Sequence, residues 1–483
     1  MNISIDWAVL LPTLIPALGA VLVLLVDAIV PRRRTPHFGI AVVTLGAALA
    51  ATVPAVLQGF DRPLRSLCLP EGGCFYVVDE VGAGLQAAAI ASALVIVVMA
   101  APVRTQKSLS AIQLSAMLAA TAGAVGVIAA RDLAAWLVLL ELATLPTIFL
   151  VALRARRTAI DGALNLLVTS LLSFAVTAMG VAMWFAATGE ATFDADVVLA
   201  AVEVPETRRV LAASLMLILA GVGFKLSLAP FHLWTPEAYA GASAPMTAFL
   251  ATVSKVAALG ALLVVARPLV LVGGATLVAV GVLAALSMTV GNVMALRADD
   301  TLRFMGWSTI AQGGWVILPL LTASSRAVHA AAAYLLVYLV ATLAVFIALI
   351  CIAHQQGRDA MVSFEGLRGL GRRQPWTGAV LGLGLLMLAG LPPAIGGLLG
   401  KVYALQPVAD QRHWVMLVIA AVNVMLGVAA YLRWVWQIFS SVRDETPARE
   451  LRAHPLHQAM LAIALPVLVL VNLMPQWLFV LLD

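Results

Sequence analysis

The sequence predicts an all-α polytopic membrane protein of about fourteen transmembrane helices, with two inverted five-helix repeats in which helices 7 and 12 are broken. Its 483 residues are 63% hydrophobic and 11% charged, with a mean hydropathy of +1.03. Soluble domains carry roughly 25% charged residues. Apolar runs of about 20 residues, enough for a helix to cross a bilayer, recur from end to end. The runs are continuous rather than alternating, which selects helices over a closed barrel.

The first run, WAVLLPTLIPALGAVLVLLVDAIV at 7–30, is too long for a signal-peptide core and lacks a basic lead and an A-x-A site, so it is expected to be retained. Further segments are expected at 37–58, 82–103, 110–129, 132–153, 161–186, 208–230, 243–266, 269–295, 302–322, 327–354, 375–405, 413–440 and 455–481. They divide the chain into N-terminal helices over 1–109, repeats over 110–266 and 267–440, and a C-terminal helix in 441–483. The longest polar connections, 60–81 and 187–207, leave no room for a soluble domain. No nucleotide loop, CxxCH or clustered metal site is visible, and a net charge of +5 spread over loop arginines does not point to nucleic acid.

Loop charge sets the expected orientation. Loops after odd-numbered segments carry 17 basic residues, among them Arg32, Arg33, Arg34, Arg104, Lys107, Arg358, Arg443, Arg449 and Arg452, against eight in the even loops. The positive-inside rule then places both termini on the outer side of a bacterial cell membrane. Cys68 and Cys74, in the even loop CLPEGGC, would face an oxidising compartment. Their Pro-Glu-Gly-Gly turn can bring them to bridging distance, so a disulfide is expected, with Cys351 a free thiol.

Two segments contain helix breakers. Segment seven runs into APFHLWTPEAYAGASAP and segment twelve contains AGLPPAIGGLLGK. Pro and Gly at membrane depth are tolerated where the freed backbone faces protein or a wet cavity, and a matched pair of such breaks marks a transporter architecture. Of 29 basic residues only four are lysine, and three of these, Lys225, Lys255 and Lys401, lie inside apolar segments. Glu141 is the one carboxylate as deeply placed. A charge at a helix centre costs on the order of 3 kcal/mol by insertion scales. Arginine stays protonated in any protein, whereas a desolvated ammonium can exchange its proton, and a nearby carboxylate can hold it on. The pattern points to proton-binding sites under electrostatic control.

The stretches GFKLSLAPFHLWTPEAYAGASAPMTAFLATVSKVAALGALL, GLPPAIGGLLGKVYAL, LLELATLPT and VGNVMALRADDTLRFMGWSTIAQGGW resemble the antiporter-like subunits of respiratory complex I, in the same order, over about 110–440. Within that family the chain is most similar to subunit N of NADH-quinone oxidoreductase, by its length, Lys401 and YLRWVWQIF. The resemblance implies a proton-translocating subunit with Glu141 and Lys225 on the input side, Lys255 as central relay and Lys401 as output, with His232 and Gln312 along the path. It implies a translocase with no redox centre in this chain, NADH, FMN, iron–sulfur clusters and quinone belonging to partner subunits. Other membrane subunits and the lipid bilayer would be its partners. Three positions depart from the family pattern: Asn165 stands where a lysine is usual, and Gln312 and Trp315 replace a histidine and a tyrosine. The competing readings are a subunit of a multisubunit Na+/H+ antiporter or of another complex-I-like assembly, an independent secondary transporter, and a structural anchor. The anchor leaves three central lysines unexplained.

Overall fold

The computed structural model describes residues 3–31, 33–57, 63–70, 73–103, 110–154, 156–193, 195–355, 363–441 and 454–476. Of the basic loop residues named above, Arg32, Arg104, Lys107, Arg358, Arg443, Arg449 and Arg452 lie outside them. The chain opens with α1 (Trp7–Ile29) and α2 (Arg34–Leu57), followed by a hairpin of β1 (Leu64–Cys68) and β2 (Cys74–Val78), then α3 (Glu80–Ala100) and α4 (Ser110–Ala129). Next come α5 (Leu133–Leu142), α6 (Leu145–Ala152), α7 (Arg157–Thr188), α8 (Ala195–Glu203) and α9 (Pro205–Leu226). After them stand α10 (Trp234–Gly241), α11 (Ala244–Ala251), α12 (Val253–Val264) and α13 (Ala266–Val272). The rest comprises α14 (Ala275–Ala295), α15 (Thr301–Ile317) with a 3-10 turn at Leu318–Leu321, α16 (Ala327–Gln355), α17 (Leu370–Arg373), α18 (Pro375–Ala389), α19 (Ile395–Asp410), α20 (Trp414–Phe439) and α21 (Pro455–Leu473).

Among the described residues, twelve helical stretches are long and apolar enough to cross a membrane, and Pro375–Ala389 is a shorter apolar helix. Spans α4, α11–α12 and α16 are mostly buried inside the bundle, whereas α1, α2, α20 and α21 present most of their surface outward. Lys225, Lys255 and Lys401 are each buried among protein, and the Glu141 side chain is 13% exposed. Isolated bridges join Ser4 to Cys68, Tyr76 to Ala130 and Asp132 to Thr192, so the N-terminal stretch and the even loops meet at one end. An Asp300–Ser363 bridge joins two odd loops. In the hairpin Cys68 pairs with Cys74 across the ladder, their Cα atoms are 4.0 Å apart, and they form a disulfide. Cys351 is a buried free thiol.

Both expected breaks are present and built alike. α9 ends at Ser227 in the left-handed region (φ 65°), with the Leu228 amide returning to the Gly223 carbonyl at 2.8 Å. α18 ends at Gly390 (φ 77°), with the Leu391 amide returning to Leu386 at 3.0 Å. This is the Schellman closure of a helix C-terminus, and Pro230 and Pro392–Pro393 then prevent the helix from resuming at once.

Segments five and eight, expected to be continuous, are also interrupted, after Leu142 and at Thr252. Pro146 in the first turn of α6 disfavours helical geometry just before it. Gly123 of α4 lets the bundle close there, because a Cβ on it would run into the backbone of Leu142 and Ala143. Segment nine begins later than expected: Gly273 and Gly274, both at positive φ, separate α13 from α14. The polar connection 187–207 carries α8.

Candidate functional site

Glu141 occupies the last turn of α5 and Lys225 the last turn of α9, so each projects from beside an interruption. Lys225 Nζ lies 2.7 Å from Glu141 Oε1 and also donates to Thr144 Oγ1 at 3.1 Å and Ser170 Oγ at 3.4 Å. A cavity of about 20 Å³ adjoins the ammonium, lined by Thr144, Thr169, Ser170 and Ser173, enough for about one water molecule. Lys225 is thus buried and Glu141 nearly so, with hydroxyls around the ammonium, the setting in which a shielded ion pair offsets part of its desolvation cost.

Lys255 approaches the same break from α12. Its Nζ donates to the Lys225 backbone carbonyl at 3.0 Å and to Ser227 Oγ at 2.5 Å, while Thr235 donates to Ser227 Oγ at 2.6 Å. The free carbonyls at a helix C-terminus carry partial negative charge. Lys401 repeats this arrangement at the other break: from α19 its Nζ donates to the Ala389 carbonyl, at the end of α18, at 2.6 Å.

Between the two breaks lies a layer of buried hydroxyls. Tyr338 donates to the Ala251 carbonyl at 2.8 Å, closing the end of α11, and is 3.1 Å from Thr309 Oγ1. One turn along α15, Gln312 donates to Tyr431 Oη at 2.9 Å and to the Leu388 carbonyl at 3.1 Å, and accepts from Tyr334 at 2.5 Å. Gln312 and Lys401 therefore bind adjacent carbonyls of the same helix end. Arg433 donates to the carbonyls of Leu296 and Ala298, closing the C-terminus of α14 as a cap.

The structure thus gathers Glu141, Lys225 and Lys255 at one break and Lys401 and Gln312 at the other. His232 stands apart: it lies in the turn between α9 and α10, its ring 5.6 Å from Trp307, and no hydrogen bond among the described residues ties it to a lysine. Asn165 is exposed on the outer face of α7, whereas Ser170 on the inner face meets Lys225. Thr144, Ser170, Ser227, Tyr334, Tyr338 and Tyr431 were not singled out by the sequence reading. For α7 a signal existed, since Ser170, Ser173 and Thr177 fall at helical spacing along one face and are all buried.

The fold and site define a polytopic helical membrane protein whose deep charges are held at helix interruptions. Residues 130–427 match the family model described as NADH:quinone oxidoreductase/Mrp antiporter, TM. A Streptomyces griseus protein named NADH-quinone oxidoreductase subunit N 2 is 35% identical over 453 residues, covering 90% of this chain and 83% of that relative. The chain belongs to the subunit N branch of this family. A chain of respiratory complex I from Thermus thermophilus superposes with a TM-score of 0.80 at 30% identity, covering 97% of this chain and 98% of the other. A chain of the Mrp complex from Dietzia sp. shares the fold (TM-score 0.83, 20% identity, covering 98% and 96%).

Proposed function

We propose that this chain is a proton-translocating membrane subunit of a bacterial NADH-quinone oxidoreductase of the complex I type. The Streptomyces griseus relative is named for that enzyme at 35% identity, and the Thermus thermophilus chain, at 30%, belongs to a respiratory complex I. NADH oxidation, flavin and iron–sulfur electron transfer and quinone reduction are assigned to partner subunits, and both termini to the outer side of the membrane.

The observation that carries the mechanism is the 2.7 Å Glu141–Lys225 pair beside an interrupted helix, with Lys255 bound to the carbonyl of the same lysine. With Glu141 close, the ammonium of Lys225 is held charged; when the carboxylate withdraws, the proton is free to move on. Lys255 takes it up at the end of α9, the hydroxyls of Tyr338, Thr309 and Tyr334 with the Gln312 amide order its passage, and Lys401 releases it. Gln312 keeps water and hydroxyls in register without itself carrying a proton. The five-helix units 110–266 and 267–440 would each contribute one broken helix to this route.

The deciding experiment purifies the complex in mild detergent and tests Lys255→Ala. Flavin and iron–sulfur absorbance should co-purify, and the variant should assemble yet lose most NADH-driven proton uptake into vesicles. Co-purification with a set of membrane subunits lacking those chromophores would favour the Na+/H+ antiporter reading instead.

A further inference from the structure

Lys255 and Lys401 lack what Lys225 has. Among the described residues, the ion pairs within 4.0 Å include Lys225–Glu141 but none with Lys255 or Lys401. Both ammoniums instead enter a cradle with two shared parts, to which the Ser227 hydroxyl, 2.5 Å from Lys255 Nζ, adds a third for Lys255. One part is a backbone carbonyl at a broken helix end, Lys225 O or Ala389 O. The other is an indole face: Lys255 Nζ lies 4.9 Å from the ring centre of Trp234, and Lys401 Nζ 5.4 Å from that of Trp315.

The rings are fixed in place. Trp234 donates through Nε1 to the Phe224 carbonyl at 2.9 Å, and Trp315, 2% exposed, packs 6.0 Å from the ring of Tyr334. Indole is the aromatic face that attracts a cation most strongly, and the attraction grows when the pair is shielded from water.

Lys401 is the cleaner case. The elements packed against α19 are α15, its 3-10 turn, α16, α18, α20 and α21, and none contains Asp or Glu. Their titratable and charged groups are Arg303, His329, Tyr334, Tyr338, Cys351, His354, Tyr431, Arg433 and His457. Tyr334 and Tyr431 are engaged with Gln312, Tyr338 with Ala251, Arg433 with two carbonyls, Arg303 with Glu237 and His457 with the Met99 carbonyl. On α19 itself Asp410 is exposed in the final turn, more than two turns from Lys401. The face of Trp315 is the aromatic ring that lies over this ammonium among the described residues.

We propose that Trp315 and Trp234 are positioning residues of the proton path, whose ring faces help hold Lys401 and Lys255 charged where no carboxylate lies within 4.0 Å of either ammonium. The proposal deepens the proton-carrier reading of the two lysines and rests on it.

The test replaces Trp315 in the intact complex with mono-, di-, tri- and tetrafluorotryptophan. Shape and the Nε1–H are retained while each fluorine weakens the ring's attraction for a cation. The pH at which NADH-driven pumping falls away should move stepwise to lower values, by about one pH unit across the series, a tenfold change in proton affinity. In parallel, the 19F resonance of Trp315→5-fluorotryptophan should shift with pH and stop shifting in Lys401→Met. An unmoved pH profile across the series, or a resonance indifferent to pH or to Lys401→Met, overturns the proposal. A resonance that titrates through Lys401 in a complex where Lys401→Met still pumps normally would leave the cradle standing and refute the proton-carrier reading.

Discussion

Replacing Glu141 by glutamine keeps the side chain's size and removes its charge, isolating the electrostatic part of the Glu141–Lys225 contact. At the observed 2.7 Å, two unit charges attract by about 6 kcal/mol with an effective dielectric of 20. The amide recovers part of that as a hydrogen bond, and Thr144 and Ser170 remain to receive the ammonium. Hydrogen bonds to a charged group contribute about 1.5–3 kcal/mol each, but these two are already present in the wild type. Losing one partner of a buried pair costs about 3–5 kcal/mol, so the charged state of Lys225 should become at least a hundredfold less populated. Proton uptake by vesicles, followed with a pH-sensitive dye during NADH oxidation and normalised to complex on native gels, should therefore fall to a few per cent of wild type for Glu141→Gln, with assembly preserved. Glu141→Asp, which keeps the charge and draws it back by one methylene, should retain an intermediate rate. If Glu141→Gln pumps at the wild-type rate per assembled complex, the switch is wrong and the pair is architecture alone.

Lys225→Arg should impair pumping nearly as much as Lys225→Ala, because guanidinium does not release its proton in a protein; an arginine variant that pumps normally in the same vesicle assay would contradict a proton-carrying role. Cys68 and Cys74 should resist thiol labelling until reductant is added, and Cys68→Ser should lower stability by about 2 kcal/mol for so short a loop, read as a lower melting temperature of the purified complex. Asn292 donates to the carbonyl of Asn423 at 3.0 Å and to its side-chain oxygen at 3.2 Å, joining α14 to α20, so Asn292→Leu should cost about 1–3 kcal/mol and appear as reduced thermal stability with pumping per assembled complex unchanged.

The membrane class was legible in the sequence because lipid imposes a rule that composition alone displays: every backbone polar group must be paired, so long apolar runs become helices. Lys225, Lys255, Lys401 and Glu141 stood out for the same reason, as costly charges in those runs. The breaks at Pro230 and Pro392–Pro393 were readable because proline leaves its mark wherever it falls. The interruption at Thr252 was not, since a threonine among alanines and leucines gives no such signal, and that at Leu142 was announced only by Pro146. On α7 the row Ser170, Ser173 and Thr177 marked one face, but nothing local said that Ser170 would meet Lys225 while Asn165, five residues away, stays exposed. The partners of the lysines were decided by tertiary structure. Glu141 and Lys225 are 84 positions apart in the chain and Trp315 and Lys401 are 86. Contacts of that separation depend on how whole helices pack, where close approaches such as that of Gly123 to Leu142 and Ala143 set the geometry, and no local pattern encodes them.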